Sequence, residues 1–297
     1  MSKDCIRLAR IVLVAAILCA ALPSAKAQAI KTVPQNGARH SANAPHSSIP
    51  KAASKTEPFK IGENLIYEGK YTRLLLRGIE IADLNFKVVR DAPDDPHKYQ
   101  FKAEIASKGA LLKLISYNFL QKFDSTVDTV DFRALQTIHY DQQDKRVRNA
   151  EAVFDYAANK ITYREIDPKN PTAPPRIITS PLEAPAQDLV SAIYFLRRQP
   201  LVVGQQFVLN LSDAGIIYSV PVSVTAREKQ QTVLGNLWTL RIEPQIFGDK
   251  RLIADEGKLT IWITDDARHL PVRSQIQTSI GKIEIKLKKA ENLQPLK

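Results

Sequence analysis

The chain has 297 residues, 44% of them hydrophobic, and 42 basic against 31 acidic side chains give it a net charge of +11. Its two cysteines, Cys5 and Cys19, and its one methionine, Met1, all lie near the start, which leaves nothing downstream for disulfides, thiol catalysis, cysteine-held metal or a Met-rich copper site. No basic run with interleaved aromatics speaks for nucleic acid, and no apolar stretch reaches the about 20 residues of a membrane-spanning helix.

The first element is a leader. Lys3, Arg7 and Arg10 flank the start, Ile11 to Leu22 is an unbroken apolar run, and Ala25-Lys26-Ala27 places small residues ahead of a cut before Gln28. This is the pattern of a secretory signal peptide over 1–27, and it predicts export, with the periplasm of a Gram-negative cell as the expected compartment and secretion as the other option. Cys19 offers a lipoprotein anchor, but Leu18 stands before it where a small residue is usual. Cleavage removes four basic residues and one acidic, so the net charge falls from +11 to +8. That balance suits an anionic envelope ligand, such as lipid head groups or acidic glycans, or simply a soluble surface. Residues 28–58 hold almost no large apolar side chain and read as a disordered linker, with His40 and His46 inside it.

From Phe59 onward the apolar residues fall at period two. Leu84-Phe86-Val88, Tyr99-Phe101-Ala103-Ile105 and Ile283-Ile285-Leu287 alternate with polar partners, and ten further runs lie between Leu65 and Ser279. Turn signals such as Ala158-Asn159-Lys160 and Gly235-Asn236 separate them. The pattern predicts an all-β, mainly antiparallel domain over 59–297: a strongly curved sheet or partly open barrel. One main helix is predicted over 186–198, with Leu189, Ala192, Ile193 and Leu196 toward the sheet, Asp188 in the first turn, and Arg197 and Arg198 complementing the dipole of the last. A shorter helix is predicted over 109–115. Residues 167–185 contain six prolines and read as an ordered crossover, a lid or a mobile loop, dividing the strands into two halves that could be sub-domains.

Gln187-Asp188-Leu189, Ser191, Tyr194, Leu196-Arg197, Pro200-Leu201 and Gly204-Gln205, together with Gly62-Glu63, Leu65 and Tyr67 ahead of them, resemble the domain of unknown function 3108 family. Gly235, Trp238, the run Ile261 to Asp266, Arg268, Leu270-Pro271-Val272 and Gly281-Lys282 resemble its C-terminal section. The resemblance implies an exported bacterial protein with an antiparallel β fold curved into a half-barrel. It carries no catalytic residue over, because the family's role is not established.

Catalytic signals are sparse. His97, His139 and His269 are far apart, without metal-ligand spacing, and read as hydrogen-bonded edge or surface histidines. There is no nucleophile elbow and no phosphate loop, and Ser191 beside Asp188 reads as local helix support. Asp265-Asp266 would point to opposite sides of a strand, so they read as turn and salt-bridge residues with Arg268. Glu68, Glu104 and Asp124 could meet in space as acids of a polysaccharide-acting enzyme. The aromatic residues Tyr67, Tyr71, Phe101, Phe119, Trp238 and Trp262 are the ligand-binding candidates, because strands apolar on both faces can line a cavity as well as a core. No cofactor or metal is expected. The first expectation is a non-catalytic binder of an amphiphile, lipid or lipid-linked glycan in envelope maintenance. An envelope scaffold with protein partners and the polysaccharide-acting enzyme are the alternatives.

Overall fold

The computed structural model describes residues 57–90, 97–114 and 117–296. The signal peptide, the linker as far as residue 56 and the turn at 91–96 lie outside the described residues. Period-two alternation becomes strand throughout. β1 (Asn64–Arg73), β2 (Leu76–Val89) and β3 (Lys98–Ser107) lead to the short helix α1 (Ala110–Leu114). Then come β4 (Phe119–Asp128), β5 (Ala134–Gln143), β6 (Arg146–Asp155), β7 (Lys160–Ile166) and β8 (Arg176–Pro181). A two-residue strand β9 (Gln187–Asp188) precedes α2 (Ser191–Arg198). The chain ends with β10 (Gln206–Asp213), β11 (Ile216–Thr232), β12 (Gly235–Pro244), β13 (Gly257–Thr264), β14 (Pro271–Thr278) and β15 (Gly281–Glu291).

All fifteen strands belong to one curved sheet. β8 back to β1 lie side by side, β1 pairs with β15, and β15 back to β9 continue the sheet. Every neighbour is antiparallel except β9, which runs parallel to β10. The β1–β15 pairing, with Tyr67 opposite Leu287, joins the two ends of the domain. The Ala134 N–H donates to the Ala186 carbonyl at 2.9 Å, so the segment carrying β9 also returns to β5 and draws the curved sheet toward closure. The main core draws on both halves, from Phe59 to Leu287. A second, smaller core of Ala150, Ala152, Phe154, Ile161, Tyr163 and Leu182 forms where β6–β8 fold against the β10–β11 turn. There Gly215, at φ +81°, lies so close to Tyr163 that an added Cβ would come within 2.5 Å of its side chain.

The readings of the helix start and of the proline-rich stretch need correction. The helix predicted over 186–198 begins at Ser191, because Gln187 and Asp188 pair with Leu211 and Ser212 as β9. The Asp188 carboxylate then accepts the N–H groups of Val190 (2.8 Å) and Ser191 (2.9 Å), and Ser191 Oγ accepts the Asp188 N–H at 3.0 Å. This reciprocal cap fixes where the helix starts. The proline-rich stretch is also more than a connection: it contains β8, an edge strand, where the missing N–H of Pro181 is tolerated.

α2 has only eight residues and could not persist alone in water. It is held in the concavity of the sheet. Tyr194 stacks flat on Phe101 with ring centroids 3.9 Å apart, and Phe59 meets Tyr194 edge-on at 5.3 Å. The helix face differs from the predicted one. Ala192, Tyr194, Leu196 and Arg197 are buried, whereas Ile193 is half-buried. Arg197 does not lie at the surface near the helix end. Its side chain and that of Glu63 are both 0% exposed, and the guanidinium grips the carboxylate with two bonds of 2.5 and 2.9 Å. It also donates to the carbonyls of Pro58 (2.9 Å) and Arg268 (3.1 Å). Burial pulls the Arg197 pKa down, but the hydrogen bond and charge of Glu63 outweigh it and hold the group above its ordinary value. Arg198 stacks on Phe132 at 4.3 Å and pairs with Glu57 at 2.9 Å, so the end of the stretch read as linker already contacts α2.

Removing one member of an enclosed ion pair leaves the other charge without a partner. Arg197→Met or Glu63→Leu is therefore expected to lower the free energy of unfolding by about 3–5 kcal/mol. Measured by urea denaturation, the double variant should lose clearly less than the two single losses added together. It should still fall below the parent, because the Pro58 and Arg268 carbonyls lose their donor.

Candidate functional site

Between α2 and the concave face of the sheet lies an apolar cavity of about 40 Å³. Strand alternation builds its walls: Leu65 and Tyr67 on β1, Phe86 on β2, Ile261 and Ile263 on β13, and Ile285 on β15. Ile193, Tyr194 and Leu196 of α2 form the opposite wall, and Pro271, Arg273 and Ser274 of β14 complete it. Tyr67 donates its hydroxyl to the Pro271 carbonyl at 2.9 Å. The Tyr194 hydroxyl is fully buried and has no hydrogen-bond partner among the described residues. Burial, with the Glu63 charge adding to it, pushes the Tyr194 phenol far above its usual range, so it stays protonated and can act as a donor.

The structure scatters the six aromatic candidates. Tyr67 lines the cavity. Phe101 lies beneath Tyr194 as part of the packing under α2. Tyr71 is buried and donates to the Ile280 carbonyl at 2.5 Å. Phe119 is buried beside Tyr117, with ring centroids 6.3 Å apart. Trp262 belongs to the opposite side of β13 from Ile261 and Ile263; it carries the Arg273 guanidinium 4.5 Å over its ring and donates to Glu228 at 2.5 Å. Trp238 is 44% exposed, between Arg227 at 4.1 Å and Lys229 at 5.2 Å. Tyr194, the residue that joins the cavity to the helix lock, is absent from that set. Its signal was the spacing to Arg197, one helical turn apart.

The acidic residues stand in separate ion pairs. Glu104 pairs with Lys122 and Asp124 with Lys102 across β3 and β4, and Glu68 with Lys70 and Lys288. Asp266 closes its turn on the Arg268 N–H and guanidinium, while Asp265 pairs with Arg227. Asp266 is half-buried, which favours its neutral form, but the Arg268 bonds prevail and hold it below the ordinary value. Among the described residues, no three His, Cys, Asp or Glu side chains converge as a metal site.

A second polar cluster sits where β4 and β5 meet β9. Asp188 accepts from Ser125 and, at 2.8 Å, from Thr137. Nearby His139 stacks on Phe123 at 4.0 Å and shares a 3.1 Å hydrogen bond with Gln121. Burial pushes the His139 imidazole down to about 4, against the raising effect of Asp141. An unfolded histidine takes its proton near 6.5, so this group withdraws stability as the pH falls from 6.5 toward 4. Urea titrations across that window are expected to show a loss on the order of 3 kcal/mol from this group. His139→Phe should reduce the acid dependence by that amount.

Comparison with known proteins adds a family and a fold. No curated protein matches the sequence. Among solved structures, a beta-barrel-like protein of the domain of unknown function DUF1849 from Brucella abortus superposes with a TM-score of 0.51 at 12% identity, covering 79% of this chain and 98% of that one. A candidate exported protein with a YmcC-like fold from Bacteroides fragilis gives a TM-score of 0.31 at 11% identity, over 79% of this chain and 98% of that one. A candidate lipoprotein from Parabacteroides distasonis gives 0.30 at 10% identity, over 79% and 97%. The Brucella protein supports a shared beta-barrel-like fold, and the other two are too distant to extend the argument. The model of the family described as "Protein of unknown function (DUF3108)" matches residues 67–288, from β1 to β15, and the chain belongs to that family.

Proposed function

We propose that this domain is an exported, non-catalytic binding module that takes the apolar end of an amphiphile, a lipid or a lipid-linked glycan, in envelope maintenance. The observation that carries this reading is a mainly apolar cavity one of whose wall residues, Tyr194, has a buried hydroxyl with no hydrogen-bond partner among the described residues. A buried hydroxyl without a partner is costly, and an apolar ligand bearing one polar atom would relieve that cost. At about 40 Å³ the cavity has room for no more than a few water molecules, each of which needs about 10–15 Å³ of such space. Only the tip of a ligand fits as it stands, and more room must come from side chains. Ile193 is the half-buried residue of the helical wall, beside the buried Tyr194 and Leu196, and can yield without moving the helix lock. Export rests on the leader pattern at 1–27, and the periplasm is the compartment we assign.

An envelope scaffold is the second reading. It is favoured by the aromatic packing of Phe59, Phe101, Phe132 and Tyr194, whose ring centroids lie 3.9–6.1 Å apart in successive contacts.

Native mass spectrometry of protein purified from the periplasm, together with titration of cis-parinaric acid, separates the two. The binding reading predicts a retained apolar ligand or probe uptake, weakened at least tenfold by Ile193→Trp and strengthened by Ile193→Ala. A bare protein that also ignores the probe would overturn it and leave the scaffold reading. Tyr194→Phe removes the lone hydroxyl and should raise the stability of the empty protein by about 1 kcal/mol while weakening ligand retention.

A further inference from the structure

The turn between β1 and β2 breaks two rules at once. Arg73 pairs with Leu76, so Leu74 and Leu75 form the tip of the hairpin, and they are 85% and 98% exposed. Leu76 is exposed as well. Leu74 also adopts φ 49°, a left-handed conformation in which a bulky side chain is uncommon and Gly or Asn is usual. Asn159, Gly215, Gly235 and Gly281 follow that usage at other turns, whereas Phe132 (φ 49°) and Ala214 (φ 47°) depart from it, Phe132 with its side chain buried in the core. Leu74 departs from it with its side chain in water. Neither solvation nor turn geometry favours leucine here, so the side chains call for a partner outside the fold.

The surroundings indicate what that partner is. Arg73 and Arg77 flank the tip, both exposed, and neither pairs with a carboxylate among the described residues. Lys282 lies opposite Thr72 on β15 and adds positive charge behind them. The tip therefore presents alkyl side chains ringed by cations, which matches an acyl layer beneath anionic head groups. A stable protein interface needs about 800 Å² from each partner, far more than a two-residue turn presents, whereas a bilayer needs no matching pocket.

We propose that the β1–β2 turn is a membrane-docking tip: Leu74 and Leu75 enter the acyl region of an anionic phospholipid bilayer, and Arg73 and Arg77 lie against lipid phosphates. This surface is independent of what the cavity binds.

Flotation of the processed protein with vesicles of phosphatidylcholine and phosphatidylglycerol (3:1) tests it, against vesicles of phosphatidylcholine alone. The parent should float with the anionic vesicles and release as salt rises. The double variant Leu74→Gly/Leu75→Asn places glycine at the positive-φ position, so it should melt at or above the parent temperature while losing at least tenfold in vesicle partition. Arg73→Gln/Arg77→Gln should fall to the phosphatidylcholine level. Because processing at residue 27 removes both cysteines, Leu75→Cys can carry a single environment-sensitive NBD label. Its emission should rise and shift to the blue only on anionic vesicles. A parent that does not float, a leucine variant that floats like the parent, or a label that stays in water would each overturn the proposal. So would a tip-dependent protein crosslink in a chain that ignores vesicles.

Discussion

A sheet built by alternation has one apolar face that must be covered, and here a single eight-residue helix covers the concave one. The rest of the domain depends on how that helix is held. Its start is fixed by Asp188, whose carboxylate caps α2 and also accepts from Ser125 and Thr137 across the sheet. Its end is fixed by Arg197, enclosed with Glu63 and bonded to the carbonyls of Pro58 and Arg268. Glu63 immediately precedes β1, and Arg268 lies between β13 and β14, so one guanidinium ties the helix to the approach to β1 and to the β13–β14 turn. Charged groups this deep are tolerated only when paired and fully hydrogen-bonded, and the two-bond grip meets that condition.

The lock shapes the candidate site. With both ends of α2 fixed and Tyr194 stacked on Phe101, the cavity beside the helix is small and its volume is set by side chains. A binding mechanism that displaced the helix would have to break the Arg197–Glu63 pair, whereas one that moves Ile193 leaves it intact. Function on this scaffold accordingly divides between an interior that is held firmly and surface features, such as the Leu74-Leu75 turn, that the packing does not need.

Most of the fold was legible because alternation is a strong signal: Leu84, Phe86 and Val88 are buried as their spacing requires. Where a second constraint competes with periodicity, the reading slipped. Gln187 and Asp188 continue the apparent helix pattern, yet pairing with β10 claims them first. β8 is hidden by the prolines that flank it and by Pro181 at its end, which an edge strand accepts. Arg197 looked like a helix-dipole residue, because sequence alone does not show that Glu63, 134 positions away, reaches it. The motif residues Glu63, Asp188, Ser191, Tyr194 and Arg197, on which the family resemblance rests, proved to be those that cap, stack and lock α2. The six aromatic candidates were chosen by residue type, and residue type does not tell the inside of a curved sheet from the outside; Trp262 and Ile263 are adjacent and face opposite ways.

Native-state hydrogen exchange of the α2 amides tests the central claim most directly. If the helix is a plug locked at both ends, the protected amides of Ser191–Arg198 exchange only through global unfolding, with the same free energy as the central strands β1 and β15. Exchange of α2 by local opening, several kcal/mol below that of a sheet that stays protected, would contradict the account.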